Sequence, residues 1–302
     1  MVTSRKTQEA DTPQFFACSK NKRKKILFLL HLPPPVHGSS MVGQWIRESI
    51  LINSRFVTSY INLLASKKVS ESGTVTVGNL LGMFVICFQL IIQLLKKRPH
   101  ICYLALTTTG AAFYRDALLV AILNVFGVKR SFHLHNEGVA MAAKSTLNDF
   151  LYRFVFKKAK VILLSPHLYT DIQKYVLEKE VFYCPNGIPE LAIKELKRPH
   201  KNDVVNVLFL SNLIESKGVF VLLEALSILE SKHFNFTCSF IGGEADITAE
   251  SFNAKTKELG LSTKVTYLGR KYGDEKNEYF SNADIFVLPT HYSNECFPLV
   301  LL

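Results

Sequence analysis

Short β-rich runs alternate with helical patterns along most of this chain, and after a polar interruption the alternation begins afresh. Strand-like runs fall at residues 26–30, 101–105, 129–135, 161–164 and 181–183. Helical patterns separate them at 41–51, 80–95, 111–126, 146–158 and 167–178. A second series has strands at 204–210, 236–241, 264–268 and 285–288, with helices at 219–231, 248–259 and 275–281. Parallel neighbours need a long crossover, usually a helix, so this pattern predicts parallel sheets covered on both faces. The expected class is α/β, with two Rossmann-like doubly wound units. A length of 302 residues exceeds what one core usually holds, which agrees with two. The pattern predicts a basic tail at 1–24, a first domain at 25–189, a linker at 190–203 and a second domain at 204–302.

Apolar residues make up 48% of the chain and charged residues 20%, the balance of a packed globule. The net charge is +11, and residues 1–25 hold Arg5, Lys6, Lys20, Lys22, Arg23, Lys24 and Lys25 against Glu9 and Asp11. An anionic substrate or a peripheral contact with an anionic membrane suits that charge. No interleaved aromatic and basic motif of the RNA-binding kind occurs, so nucleic acid is not expected as a partner. Cys18, Cys87, Cys102, Cys184, Cys238 and Cys296 are scattered, with no C-x-x-C pair and no histidine at zinc spacing. That usage points to a reducing, cytoplasmic setting, without disulfide frame or structural zinc. The basic residues 22–25 run straight into the first strand, with no apolar signal core before it. Residues 80–95 (LLGMFVICFQLIIQLL), interrupted by Gln89 and Gln93, are short for a span of ~20 residues. They are expected to form a buried or interfacial helix.

In doubly wound folds ligands sit at the carboxyl ends of the strands, and each candidate motif falls just after a predicted strand. The loop LPPPVHGSS (32–40) contains Gly38, which would let backbone approach a ligand, or the loop is simply a Pro-rich turn into a helix. In FHLHNEG (132–138), His133 and His135 lie two apart and face the same side of a strand. Together with Asn136 they could contact a substrate, be satisfied structurally, or form a metal pair for which no third ligand is visible. CPNGI (184–188) reads as an Asn-Gly turn with positive φ. SNLIESKG (211–218) offers Lys217 to a phosphate beside Gly218, although lysine at a helix start is also common on any surface. IGGE (241–244) ends a strand with two glycines, a ligand approach or a mere turn. The final run ADIFVLPTHYSNECFPLVLL (283–302) is the most specific: strand, Pro289, polar loop, Glu295 and an apolar helix start. A carboxylate beside free amides can grip sugar hydroxyls and a diphosphate, or it can merely cap a core helix.

Taken in order, these segments resemble the family 4 glycosyltransferases of the retaining GT-B type, from about Lys25 to the last residue. The strand and Pro/Gly loop match 32–38, the Asn-Gly-hydrophobic turn matches Asn186 to Ile188, and G-R-L-x-x-x-K-G matches 211–218. The A-D-h-x-h-x-P-S segment matches 283–290, and the E-x7-E motif begins at Glu295. The resemblance implies two domains facing a cleft and transfer, with retention, of a sugar from a nucleotide-diphosphate donor. The acceptor would be a glycan or a lipid-linked precursor, and neither metal nor other cofactor is required. Lys217, the loop at Gly38 and the backbone of Phe297, Pro298 and Leu299 would stabilise the leaving diphosphate. Glu295 would hold donor-sugar hydroxyls, with His135 and Asn136 lining the reacting centre. Asn212, Gly243 and Lys271 fall at nucleotide-contacting positions.

Two departures matter. Asn212 stands where the family has arginine, removing one positive charge beside the diphosphate. The second glutamate of E-x7-E would fall at 303, one past Leu302, so the second domain is expected to be incomplete here. Two rival expectations follow, an inactive donor-binding chain and a GT-B nucleotide-sugar epimerase.

Overall fold

The computed structural model describes residues 23–34, 36–64, 77–189, 203–292 and 296–302. The tail 1–22, nearly all of the expected linker 190–203, and Glu295 lie outside the described residues.

Six parallel strands form the first sheet: β1 (Lys25–Leu30), β2 (Val57–Asn62), β3 (Ile101–Leu106), β4 (Lys129–Leu134), β5 (Lys160–Leu163) and β6 (Val181–Tyr183). Their order is β2-β1-β3-β4-β5-β6. The chain leaves β1 in one direction to make β2 and returns in the other to make β3, so the strand order reverses beside β1. The alternation of side chains along β1 shows why both faces are covered. Leu27 and Leu29 enter one core, with Leu90 of α3 (Val77–Lys96), Val120 of α4 (Gly110–Val125) and Val155 of α6 (Thr146–Phe156). Phe28 and Leu30 enter the opposite core, against Ile46 of α1 (Gly38–Glu48) and Ile52 of α2 (Ile50–Arg55).

The second sheet holds four parallel strands, β7 (Val205–Leu210), β8 (Phe236–Ile241), β9 (Val265–Tyr267) and β10 (Ile285–Phe286), in the order β10-β7-β8-β9. The connecting helices are α8 (Val219–Ser231), α9 (Ala249–Glu258) and α10 (Gly273–Asn282). Phe209, Phe240 and Phe252 pack in series through this core, with ring centroids 4.9 and 4.8 Å apart and the second pair edge-on. Here the order reverses beside β7, between it and β10. Each sheet thus has one crevice at its carboxyl edge, after β1 and after β7, where loops diverge and a ligand can enter.

Several expectations change in detail. Strand β2 has no clear sequence signal: its residues are mostly half-exposed and only Ile61 is buried. The single helix expected at 41–51 starts earlier and breaks at Ser49, whose hydroxyl accepts the Ile52 N–H and so caps α2. The helix expected at 167–178 reduces to a 3₁₀ turn, the four-residue α7 (Tyr169–Ile172) and a second turn. Strand β10 keeps two of the four expected residues. The apolar segment 80–95 is a helix, as expected, with one side in the core and the other exposed. Among the described residues no helix is long and apolar enough to cross a membrane.

Candidate functional site

Lys217 sits at the reversal beside β7, on a 3₁₀ turn (Glu215–Lys217) that leads into α8. Gly218 makes that placement possible. Its φ is +83°, and a Cβ there would meet the Pro289 carbonyl oxygen at 2.2 Å. The chain after β10 therefore lies directly on the Lys217 turn, held by the His291 N–H donating to the Ser216 carbonyl at 2.8 Å. The Tyr292 ring lies beside the turn, with Lys217 Nζ 4.7 Å from its centroid. Burial lowers the Lys217 pKa from the ordinary lysine range to about 8. Two motifs more than seventy residues apart, SNLIESKG and VLPTHY, thus form one surface.

The first sheet supplies the facing loops. Gly38 opens α1 at the carboxyl end of β1, 3.9 Å (from its ideal Cβ) from a methyl of Leu299. His37 caps that helix: its Nδ1 accepts the Ser40 N–H, while Ser40 Oγ accepts the His37 N–H. Nδ1 must be unprotonated to do so, and burial lowers the His37 pKa in agreement. His37 therefore serves as a neutral cap rather than as a cation. Asn186 donates from Nδ2 to the Phe297 carbonyl at 2.9 Å, and Cys296 lies against Glu137, whose backbone hydrogen-bonds its sulfur. These contacts bring 36–38, 135–138 and 184–187 up against 296–299. The Asn-Gly turn with positive φ is not formed: neither Asn186 nor Gly187 takes positive φ, because the long-range bond to Phe297 holds the segment open.

His133 and His135 remain neighbours, with ring centroids 4.2 Å apart, although β4 ends at Leu134. His133 is buried and its Nδ1 is 2.5 Å from the Tyr103 hydroxyl, which gives that ring a structural partner. Burial first, and His135 second, lower the His133 pKa to about 3, and burial lowers that of His135 to about 4. Both rings are neutral at pH 7. Asn136 is pinned, its Nδ2 donating to the buried Thr108 hydroxyl at 2.7 Å. Among the described residues no group of three or more His, Cys, Asp or Glu is placed to hold a metal ion.

The remaining expected positions divide. Asn212 uses Oδ1 to accept the Gly243 N–H at 3.0 Å, tying the ends of β7 and β8 together. The Arg270 guanidinium lies over Gly243, where a Cβ would be 2.1 Å from Nε, so a side chain there would displace it. The Lys271 side chain turns away to pair with Glu275, 2.5 Å from Nζ. Phe297 and Pro298 precede a single 3₁₀ turn, Leu299–Leu301, rather than the first turn of an α-helix. Pro298 has no N–H, so only Phe297 and Leu299 of that trio can donate from the backbone.

One residue that sequence reasoning missed is Asp171, at the start of α7. Its carboxylate accepts three backbone N–H groups, from Gly138 at 2.9 Å, Val139 at 3.0 Å and Ala140 at 2.8 Å. It thereby caps the four-residue helix α5 (Val139–Ala142) and anchors the loop that carries His135 and Asn136, and nothing local in the sequence marks it. Asp171→Ala leaves three amides without their acceptor and is expected to cost about 1–3 kcal/mol of stability. Urea unfolding measures it, and a change below about 0.5 kcal/mol would show that water replaces the carboxylate without loss.

Residues 192–302 match the family model described as "Glycosyl transferases group 1". No curated protein sequence matches the chain. Among solved structures it is similar to the apo form of the lipopolysaccharide outer core galactosyltransferase WaaB, with a TM-score of 0.63 at 13% identity, covering 92% of this chain and 76% of that one. It is similar to a glycosyltransferase from Rickettsia africae, with a TM-score of 0.60 at 17% identity, covering 89% and 73%. It is also similar to Anabaena HepE in complex with UDP and glucose, with a TM-score of 0.57 at 13% identity, covering 89% and 74%. At such identities the likeness speaks for architecture alone. The fold is of the GT-B type, two Rossmann-like α/β units facing a cleft.

Proposed function

We propose that this chain is a retaining glycosyltransferase of the family 4 kind, moving a sugar from a nucleotide-diphosphate donor to a glycan or lipid-linked acceptor. The observation that carries the reading is the meeting of Lys217 and Gly218 with the loop after β10, at the strand-order reversal and opposite the loops at Gly38 and His135. Transfer breaks the bond between the anomeric carbon and a diphosphate oxygen, and the departing nucleoside diphosphate gains negative charge. A half-buried lysine fixed beside that oxygen opposes the charge more strongly than one in water. His135 would contribute a neutral hydrogen-bonding ring to the acceptor side, and Glu295 the contact to donor-sugar hydroxyls. The match of 192–302 to group 1 glycosyl transferases supports glycosyl transfer as the reaction class. Structures with UDP and UDP-glucose bound to HepE make uridine nucleotides the first donors to try.

Arg270 answers the charge missing at Asn212. Its guanidinium lies against Gly243, the glycine that Asn212 holds in place, so a cation stands at the same strand ends by another route.

The pKa of Lys217 provides the test. The protonated lysine binds phosphate, and in the free protein it is largely charged below about pH 8 and largely neutral above. Affinity for UDP-glucose, whose diphosphate does not titrate in this range, is expected to hold steady from pH 6 to 7.5. It then falls about tenfold by pH 9, as binding comes to require uptake of a proton. Calorimetric titration across that range measures it. An affinity flat to pH 9.5 would remove Lys217 from the diphosphate site.

A further inference from the structure

Helix α3 is apolar on both its inward and its outward face, with Gln89 and Gln93 between the two. Ile86, Leu90 and Leu94 are buried against the first sheet, as a covering helix requires. Its outward side should be polar. Instead it presents Leu81, Phe84, Val85, Phe88 and Leu95, with Phe84 60% and Phe88 65% exposed. Their spacing of three, four and seven residues puts them on one stripe, and no charged residue occurs between positions 77 and 95. The stripe does not stop at the helix. Neighbouring α4 continues it with exposed Tyr114, Leu118 and Val125. A contiguous apolar surface of this kind on a folded chain marks a contact site.

The charges around it identify the partner. Lys96 ends α3 and Lys97 and Arg98 follow it, all exposed. Reciprocal hydrogen bonds between Lys25 and His100 tie that end to the start of β1, where Arg23 and Lys24 are also exposed. The basic row continues along the amino edge of the sheet through Lys129, Lys157 and Lys158. Among the described residues the charges nearest the stripe, Arg23, Lys24, Lys96, Lys97 and Arg98, are positive, and acidic Glu178 and Glu180 enter only at the far end of the row, beside β6. A twofold contact between two copies would press like charges together, whereas an anionic bilayer satisfies cations and apolar side chains at once.

We infer that the outer faces of α3 and α4 form a membrane-docking surface, on which the helices lie in the plane of an anionic lipid interface. Phe84 and Phe88 enter the acyl boundary while Lys96, Lys97 and Arg98 meet the headgroups. The carboxyl ends of β1 and β4, with Gly38 and His135, stand at the other end of the same sheet. The inference concerns where the chain docks and does not depend on what it transfers.

Flotation of the 302-residue chain with vesicles tests it. Vesicles containing about a third phosphatidylglycerol are expected to bind it, and phosphatidylcholine vesicles at least tenfold more weakly. The exposed-site variant Phe84→Ser/Phe88→Ser is expected to lose binding at least tenfold, with unchanged circular dichroism and unchanged nucleotide affinity. Lys96→Gln/Lys97→Gln is expected to weaken binding severalfold and to flatten its salt dependence. Three results would overturn the surface: no binding of the parent chain to anionic vesicles, undiminished binding of the phenylalanine variant, or conversion by that variant of a dimer to a monomer in sedimentation. The second would assign membrane contact to the basic tail, and the third would assign the stripe to a second copy.

Discussion

Replacing Lys217 by alanine is expected to lower donor-sugar turnover by about a hundredfold, roughly 3 kcal/mol of lost charge-assisted stabilisation at the leaving diphosphate. The number follows from position. Lys217 is half-buried, its pKa is lowered to about 8 by that burial, and its ammonium is held 4.7 Å from the Tyr292 ring centroid. A lysine on an open surface would be screened and worth far less. Affinity for the nucleoside diphosphate product should fall about tenfold or more with it, since that product carries the same phosphates. Steady-state turnover and calorimetry on the same preparations separate the two effects. A loss below fivefold in both, with circular dichroism unchanged, would assign Lys217 a place outside the reaction.

Gly218→Ala is expected to damage the Lys217 turn severely. Alanine at φ +83° is strained by about 1–2 kcal/mol, and its methyl would enter the Pro289 carbonyl at 2.2 Å. The combined expectation is about 2–4 kcal/mol of lost stability. Function should suffer too, because relief comes only by moving the loop after β10 off the Lys217 turn. Gly187→Ala is the control: nothing lies within 4 Å of its would-be Cβ, and its φ is not positive. Thermal unfolding of the pair decides. A Gly218 variant as stable as the Gly187 variant, with parental nucleotide affinity, would mean that the two loops do not need their close contact.

What the sequence determined by itself was set by local rules. Short β-rich runs of three to seven residues separated by helical periods satisfy backbone and side chains as parallel strands with crossover helices. Among the described residues nine of the ten strands were legible for that reason, and so was α8, whose limits at Val219 and Ser231 agree to the residue. The placement of Lys217 between a strand and a glycine was legible in the same way. The sequence also marked 80–95 as too apolar for an ordinary surface helix.

The tertiary structure decided what depends on partners distant in the chain. Strand β2 escaped notice because only Ile61 is buried, and its identity comes from pairing with β1. The Asn-Gly turn at 186–187 gave way to a bond across 111 residues, to Phe297. Arg270 comes to lie against Gly243, and the His135 loop is held by Asp171, each brought in from a different loop by sheet order. Lys217 itself needed Gly218 and Pro289 to meet before its surroundings could lower its pKa. Periodicity and turn chemistry act over a few residues, so they fix elements; burial, charge and crowding act through space, so only the assembled sheets show which side chains share a site.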